Sequence, residues 1–136
     1  SAIYELPEEL ADETVKIDED AMSQIAINLV DNAIKFSHGA SPWEVHIGFR
    51  KMQSDSTVVF FVRDFGPGVP KGEQRKIFEL FYRSGEELTR RTTGTGIGLA
   101  LVRELAQQMD ATVDYRSREP GAEFQVRFSV TGQLLP

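Results

Sequence analysis

Two asparagines and a lysine recur at helical spacing in segment 18–37, where the polar residues share one stripe. Asn28 and Asn32 are one turn apart, and Lys35 follows three residues later. Asparagine is a poor helix former, whereas a helix face that only meets solvent is usually rich in glutamate and lysine. An asparagine carbonyl can ligate Mg²⁺, and a lysine can meet phosphates as a point charge. The stripe is therefore compatible both with a solvent face and with a metal–phosphate site.

A glycine-containing loop follows the apolar run 58–62. It contains Asp64, Gly66 and Gly68. Glycine permits close approach of the backbone, and a carboxylate at the end of a strand can accept a hydrogen bond from an exocyclic amine such as that of adenine. The same residues also fit a tight turn capped by an aspartate, so the loop alone does not decide between the two interpretations.

A second glycine loop, residues 94–98, opens the amphipathic segment 97–109. The unpaired N–H groups at the start of a helix, together with the positive end of its dipole, form an anion site. The spacing matches neither the dinucleotide G-x-G-x-x-G pattern nor a Walker A loop. A glycine hinge before an ordinary helix is the structural alternative.

The segment between the two glycine loops has an aromatic part and a polar part. Phe78 and Phe81 are expected in the core or as anchors of a lid. Arg83 lies at the edge of a threonine-rich stretch, 83–96, and two more arginines lie inside it. A polar segment that carries arginines beside a phosphate site has the composition of a lid.

These candidate residues require a framework, and the hydrophobic pattern predicts one in the order β-α-β-β-loop-α-loop-α-β-β. The expected strands are 14–17, 44–52, 57–63, 111–116 and 123–130, and the expected helices are 18–37, 71–82 and 97–109. Helices gathered on one face of a mostly antiparallel sheet are the natural packing for this order. The 136 residues suit one domain, 1–136.

Composition excludes several classes of protein. The chain has no cysteine, which rules out disulfides and thiolate sites, and its net charge of −6 argues against non-specific binding of nucleic acid. His38 and His46 are too few and too far apart for a recognisable zinc motif. A bound polyphosphate would therefore depend on local donors.

Taken together, the motifs resemble the catalytic domain of sensor histidine kinases, in the gyrase, histidine kinase and MutL-type ATPase superfamily. Residues 28–36 resemble the N box, 64–68 the G1 box, 78–83 the F box and 94–99 the G2 box, in the family's order and over nearly the whole chain. The resemblance implies an α+β fold: a two-layer α/β sandwich of the Bergerat type, with a mixed, mostly antiparallel sheet covered on one face by helices.

The resemblance also implies roles for individual residues. The implied magnesium ligands are Asn28 and Asn32, and the residues implied to take part in catalysis are Asn28, Lys35 and Arg83. The residues implied to bind ATP are Asn28, Asn32, Lys35, Phe36, Asp64, Gly66, Gly68, Val69, Gly94, Thr95, Gly96, Ile97, Gly98 and Leu99.

The sequence departs from the family pattern at two places. Phe65 replaces the usual Asn of the G1 box, and Asp110-Ala111 replaces a glycine pair. The dimerisation domain with its phosphate-accepting histidine, and the first helix of the catalytic domain, are expected to precede this chain. Neither His38 nor His46 resembles the acceptor motif, so the fragment is not expected to phosphorylate itself.

The implied function is transfer of the γ-phosphoryl group of ATP·Mg²⁺ to a histidine of the dimerisation domain, in a homodimeric kinase that serves a response regulator. The domain is expected in the cytoplasm, which suits a parent kinase anchored in the inner membrane. The alternative within the superfamily is a serine kinase of the type that restrains sigma factors, which lacks an F box. Hydrolytic relatives carry a glutamate where this chain has Asn28, an amide that cannot act as a general base.

Overall fold

The computed structural model describes residues 2–5, 17–37, 44–52, 57–79 and 98–129. The strands are β1 (Ala2–Glu5), β2 (Val45–Met52), β3 (Thr57–Asp64), β4 (Thr112–Ser117) and β5 (Ala122–Ser129). The helices are α1 (Glu19–Ser37) and α2 (Gly98–Gln108). The sheet order is β1-β2-β3-β5-β4, antiparallel throughout except that β1 runs parallel to β2. The predicted α/β sandwich with a mixed, mostly antiparallel sheet is confirmed.

The core lies between the two helices and one face of the sheet. Alternate residues of the central strands point to this layer, as the period of two requires. The buried residues at the centre of this layer are Ile25, Leu29, Ala33, Phe60, Val62, Val102, Ala106, Phe124, Val126 and Phe128. Asp64 belongs to the same alternating set, so its side chain lies on the helical side of the sheet, at the end of β3.

Helix α1 begins where the sequence predicts. The Asp18 side chain accepts a hydrogen bond of 3.1 Å from the Ala21 N–H, which satisfies one of the free donors of the first turn. The buried stripe of α1 repeats every fourth residue and consists of Ala21, Ile25, Leu29, Ala33 and Ser37.

The asparagines of the polar stripe on α1 lie beside the buried residues of the helix. Asn28 and Asn32 are half-buried and flank the buried stripe, rather than facing away from the core. The face of α1 that lies opposite the core carries Ile27 and Ile34, which are 61% and 45% exposed. The asparagines therefore lie at the border between the core and solvent, a position that favours a role in binding over a merely solvated face.

The other face of the sheet is closed by long polar side chains. Val59 and Phe61 are buried there, and the Arg50 guanidinium stacks on the Phe61 ring at 3.8 Å from its centroid. Arg50 also donates to the buried Glu123 carboxylate at 2.7 Å, and Arg118 donates at 3.2 Å. Burial alone would raise the pKa of Glu123, but the bonds and charges of these arginines and a bond from Gln125 outweigh it and lower that pKa.

The turn after α2 explains one departure from the family pattern. Asp110 has a φ of 56°, and the Ala111 N–H donates to the Ala106 carbonyl at 2.8 Å. This is the left-handed residue that ends many helices, usually glycine, and aspartate tolerates that conformation better than most residues. Asp110 thus serves as a helix terminator without glycine.

The helix predicted over 71–82 was wrong in its described part. The structure has two single 3₁₀ turns there, Lys71–Glu73 and Lys76–Phe78, and Glu79 is extended. Tertiary contacts override the local preference, because Gln74 donates to the Ser117 hydroxyl on β4 and Phe78 packs on Phe124. The predicted strand 14–17 lies almost entirely outside the described residues. Among the described helices, none is long and apolar enough to cross a membrane.

Candidate functional site

The end of α1 and the loop after β3 meet at a point of backbone contact. A Cβ at Gly66 would collide with the carbonyl oxygen of Phe36 and would lie 3.3 Å from Asp64 Oδ1. Only glycine fits between these groups, so the chain can bring the end of the N-box helix against the G1 loop. Two motifs that are 28 residues or more apart in sequence, around Asn32–Phe36 and Asp64–Gly68, are thereby brought into one site.

Asp64 is the buried carboxylate of this site. It is 2% exposed, and its Oδ1 accepts a hydrogen bond of 2.9 Å from the Gly66 N–H. Burial raises the Asp64 pKa from 3.8 to about 6, although the Gly66 bond and the charge of Arg63 oppose the shift. A buried carboxylate whose pKa is raised by desolvation, at the end of a strand, is a candidate binding group.

If Asp64 is the adenine acceptor that the family resemblance implies, its raised pKa predicts that affinity for adenine nucleotides falls in acid. Only the ionised carboxylate presents acceptors alone to the adenine amine. With a pKa of about 6, roughly one tenth of Asp64 is ionised at pH 5, so affinity should fall about tenfold between pH 7 and pH 5. Calorimetric titration with ADP across this range measures the effect. The ADP phosphates also titrate in this range, and the Asp64→Asn variant measures their effect on affinity alone. If ADP affinity depended equally on pH in both proteins, the prediction would be contradicted.

The far side of the same loop rests on the β4–β5 turn. Gly68 has a φ of 78°, and a Cβ there would lie 3.1 Å from the Gly121 carbonyl oxygen and 3.4 Å from the Tyr115 hydroxyl. Gly121 itself has a φ of 105°, and a Cβ on it would collide with the Asp64 carbonyl oxygen. These two glycines allow the loop after β3 to nest against the hairpin.

The α1 side of the site carries the polar residues of the N box. Asn28 Nδ2 is buried and has no hydrogen-bond partner among the residues that the structure describes. Such a donor is costly unless a bound group satisfies it, and an oxygen of a phosphate is suitable. Lys35 Nζ lies 2.9 Å from Asp31 Oδ2, one turn back on the helix. This pair holds the lysine side chain along the same edge of α1.

Part of the predicted site lies outside the described residues. Gly98 begins α2, and Leu99 packs against the core from the first turn of this helix, which lies against α1. The remaining predicted site residues, Arg83, Gly94, Thr95, Gly96 and Ile97, and the predicted lid lie outside the described part of the chain.

The structure explains the unusual Phe65 of the G1 loop. Its ring lies on the outer side of the sheet, edge-on to the His46 ring at 4.9 Å and under the Arg63 guanidinium at 4.2 Å. Arg63 also donates to the Pro120 carbonyl at 3.0 Å. Phe65 thus packs on the outer face of the sheet, whereas the Asp64 side chain lies on the helical face. His46 bonds Glu44 at 2.9 Å and lies on the same outer face of the sheet as Arg63.

Three residues near the loop were missed by sequence reasoning. Tyr115 accepts a hydrogen bond from the Val69 N–H, Gln74 donates to the Val69 carbonyl, and Gly121 packs on Asp64. Gly121 follows Pro120 between the predicted strands 111–116 and 123–130, and this proline–glycine pair was the one available signal. Tyr115 and Gln74 gave none, because their contacts depend on the tertiary fold.

The two-layer sandwich, the buried Asp64 and the glycine loop define a nucleotide-binding ATPase class, and the comparisons agree. Residues 17–132 match the family described as histidine kinase-, DNA gyrase B- and HSP90-like ATPase, and the chain belongs to this family. It is similar to the signal transduction histidine-protein kinase/phosphatase MprB of Mycobacterium tuberculosis, with 37% identity over 103 residues, 75% of this chain and 19% of that protein. The sensor histidine kinase WalK of Bacillus subtilis is 36% identical over 95 residues, 68% of this chain and 15% of that protein. The matched part of this chain thus spans less than a fifth of the length of each of these relatives.

Solved structures show the same fold. Full-length ShkA in complex with AMPPNP superposes with a TM-score of 0.75 and 30% identity, covering 95% of this chain and 26% of that one. The nucleotide-free catalytic domain of the histidine kinase ThkA gives a TM-score of 0.73 and 25% identity, covering 95% of this chain and 78% of that one. The predicted membership of the histidine kinase group is confirmed.

Proposed function

We propose that this chain is the ATP-binding catalytic domain of a two-component sensor histidine kinase. The observation that carries the proposal is the buried Asp64 carboxylate, placed by Gly66 against the end of the helix that bears the N-box asparagines. A carboxylate acceptor at one end of a site and amide and ammonium groups along α1 suit the two ends of ATP. The similarity to MprB and WalK supports histidine as the acceptor.

Each site residue has a proposed role. Asp64 accepts a hydrogen bond from the adenine amine, while Gly66, Gly68 and Val69 shape the loop around the base. Asn28 Nδ2, Asn32 and Lys35 face the phosphates, and Phe36 lies near the nucleotide. The remaining residues of the proposed site are Arg83, Gly94, Thr95, Gly96, Ile97, Gly98 and Leu99, in the phosphate-binding segment.

The described residues fit a magnesium ion that arrives with the nucleotide rather than one held by the protein alone. Among them there is no group of three or more histidine or acidic side chains that could hold a metal ion. Asn28 and Asn32 each carry one amide oxygen, and Mg²⁺ usually takes few protein ligands and completes its shell with phosphate and water. When bound, the ion would neutralise phosphate charge in a protein of net charge −6.

The proposed reaction moves the γ-phosphoryl group from the β–γ bridging oxygen of ATP to an imidazole nitrogen, and ADP leaves. Positioning and charge neutralisation carry most of such a transfer. The side chain at Asn28 cannot act as a base toward water, so hydrolysis should be slow compared with transfer. The acceptor histidine belongs to a dimerisation domain outside this chain. The parent kinase is proposed to form a homodimer and to pass the phosphoryl group to a response regulator.

Incubation with γ-labelled ATP and Mg²⁺ tests the proposal. The isolated chain should bind ATP without acquiring label, because His46 is bonded to Glu44 on the side of the sheet away from Asp64. Adding the dimerisation domain of the same kinase should give acid-labile phosphate on that domain. Acid-labile label on His38 or His46 of the isolated chain would refute the assignment of the acceptor to another domain.

A further inference from the structure

Val69 is held by side chains at both of its backbone groups. Its N–H donates to the Tyr115 hydroxyl at 2.8 Å, and its carbonyl accepts from the Gln74 amide at 3.1 Å. The same Gln74 amide nitrogen lies 3.1 Å from Ser117 Oγ, two residues beyond Tyr115 on β4. A loop residue whose backbone donor and acceptor are both bonded to side chains has little freedom to shift.

Tyr115 is itself fixed from the side of the core. Its ring packs edge-on to the Phe124 ring at 5.4 Å, and Phe124 packs edge-on to Phe78 at 5.9 Å. Aromatic pairs with this geometry are favourable and orient the rings. The hydroxyl therefore projects from a rigid base toward the loop, where a Cβ at Gly68 would lie 3.4 Å from it.

We propose that Tyr115 is a positioning residue of the nucleotide site, which holds the loop 66–70 in the form that presents Asp64 and Val69 to the base. The inference rests on the proposed function, since it assumes that this loop binds adenine nucleotide. Tyr115 acts through the Val69 N–H and needs no contact with the nucleotide. Removal of the hydroxyl leaves that N–H without its partner and breaks the direct hydrogen bond between the loop and β4.

The test uses Tyr115→Phe, which keeps the ring on Phe124 and removes only the hydroxyl. We expect the Kd for ADP to rise about tenfold and the Val69 amide to exchange its hydrogen at least about tenfold faster. The apo melting temperature should stay within about 5 °C, and exchange in β3 should be unchanged. Gln74→Leu, which removes the donor to the Val69 carbonyl, should also raise the Kd for ADP. Asp114→Asn, on the opposite face of β4, is the control and should leave ADP affinity unchanged.

The outcomes separate the inference from the proposed function. An ADP affinity within twofold of the wild type in Tyr115→Phe overturns the inference, whether or not Val69 exchanges faster. If Tyr115→Phe also speeds amide exchange in β3, the Gln74→Leu variant becomes the test of loop positioning. An unchanged ADP affinity in Gln74→Leu would then overturn the inference. If the wild-type chain binds no ADP, the proposed function fails instead. In that case, an unchanged rate of Val69 amide exchange in Tyr115→Phe would still contradict the claim that Tyr115 positions the loop.

Discussion

Asp64→Asn is expected to lower the affinity for ATP and ADP roughly 10- to 150-fold. This is the effect of losing a charge-assisted hydrogen bond of about 1.5–3 kcal/mol. The structure gives the geometric reason. Oδ1 of Asp64 accepts from the Gly66 N–H, so an asparagine that keeps this bond must place its NH₂ group at the other position. The adenine amine would then meet a donor instead of an acceptor. Isothermal titration calorimetry at pH 7.5 measures the loss.

The same substitution should stabilise the apo protein at neutral pH. A carboxyl whose pKa is raised from 3.8 to about 6 stabilises the fold when protonated, and this contribution is lost as pH rises between those values. Replacing Asp64 by the neutral amide should therefore gain of the order of 1–3 kcal/mol at pH 7 and almost nothing at pH 4. Asp114→Asn, a partly exposed carboxylate paired with Arg127, is the matched control. Unchanged nucleotide affinity in a folded Asp64→Asn protein would rule out Asp64 as the adenine anchor.

Asn32→Ala is expected to abolish Mg²⁺-dependent ATP binding while leaving the domain folded. No side-chain hydrogen bond joins Asn32 to another described residue, so its removal leaves no orphaned partner there. Alanine is also the better helix former, by up to ~0.7 kcal/mol, which offsets the packing lost at this half-buried position. The apo melting temperature should change little, and the rise on adding ATP·Mg²⁺ should vanish.

Gln24→Ala provides the control for Asn32→Ala on the same helix. Gln24 carries the same amide group but is exposed, so its removal should leave the full ligand-induced rise in melting temperature. If Asn32→Ala also kept the full rise, Asn32 would be an ordinary surface amide and its assignment as a ligand would be wrong.

Elements with a strong period were predictable from the sequence. Strands β2, β3, β4 and β5 and both helices lie within one or two residues of the predicted bounds, because alternation and the 3.6-residue period record burial directly. Asp64 and Gly66 were also singled out in advance, since a carboxylate and glycines after a buried strand leave a local signature. Their close packing on the end of α1 is now visible in the contact between Gly66 and Phe36.

What the sequence could not predict depends on partners distant in the chain. Tyr115 and Val69 are 46 residues apart, and Arg50 and Glu123 are 73 apart. Contacts between residues so far apart produce no periodic pattern in the sequence. The pairing of β1 with β2 was missed because a four-residue strand at the edge of a sheet has too short a pattern to stand out. The helix predicted after Pro70 is absent from the described residues because the tertiary bond of Gln74 to Ser117 and the packing of Phe78 on Phe124 outweigh local propensity.

A titration of the labelled chain with ATP·Mg²⁺, followed by amide NMR, tests the central claim that the nucleotide lies between the end of α1 and the loop after β3. The largest shifts are expected at Asn32, Gly66 and Val69. The amides of Asp114 and Arg127, whose side chains pair on the opposite face of the sheet, should move little. Shifts centred on that opposite face, or no shifts at millimolar nucleotide, would contradict the account.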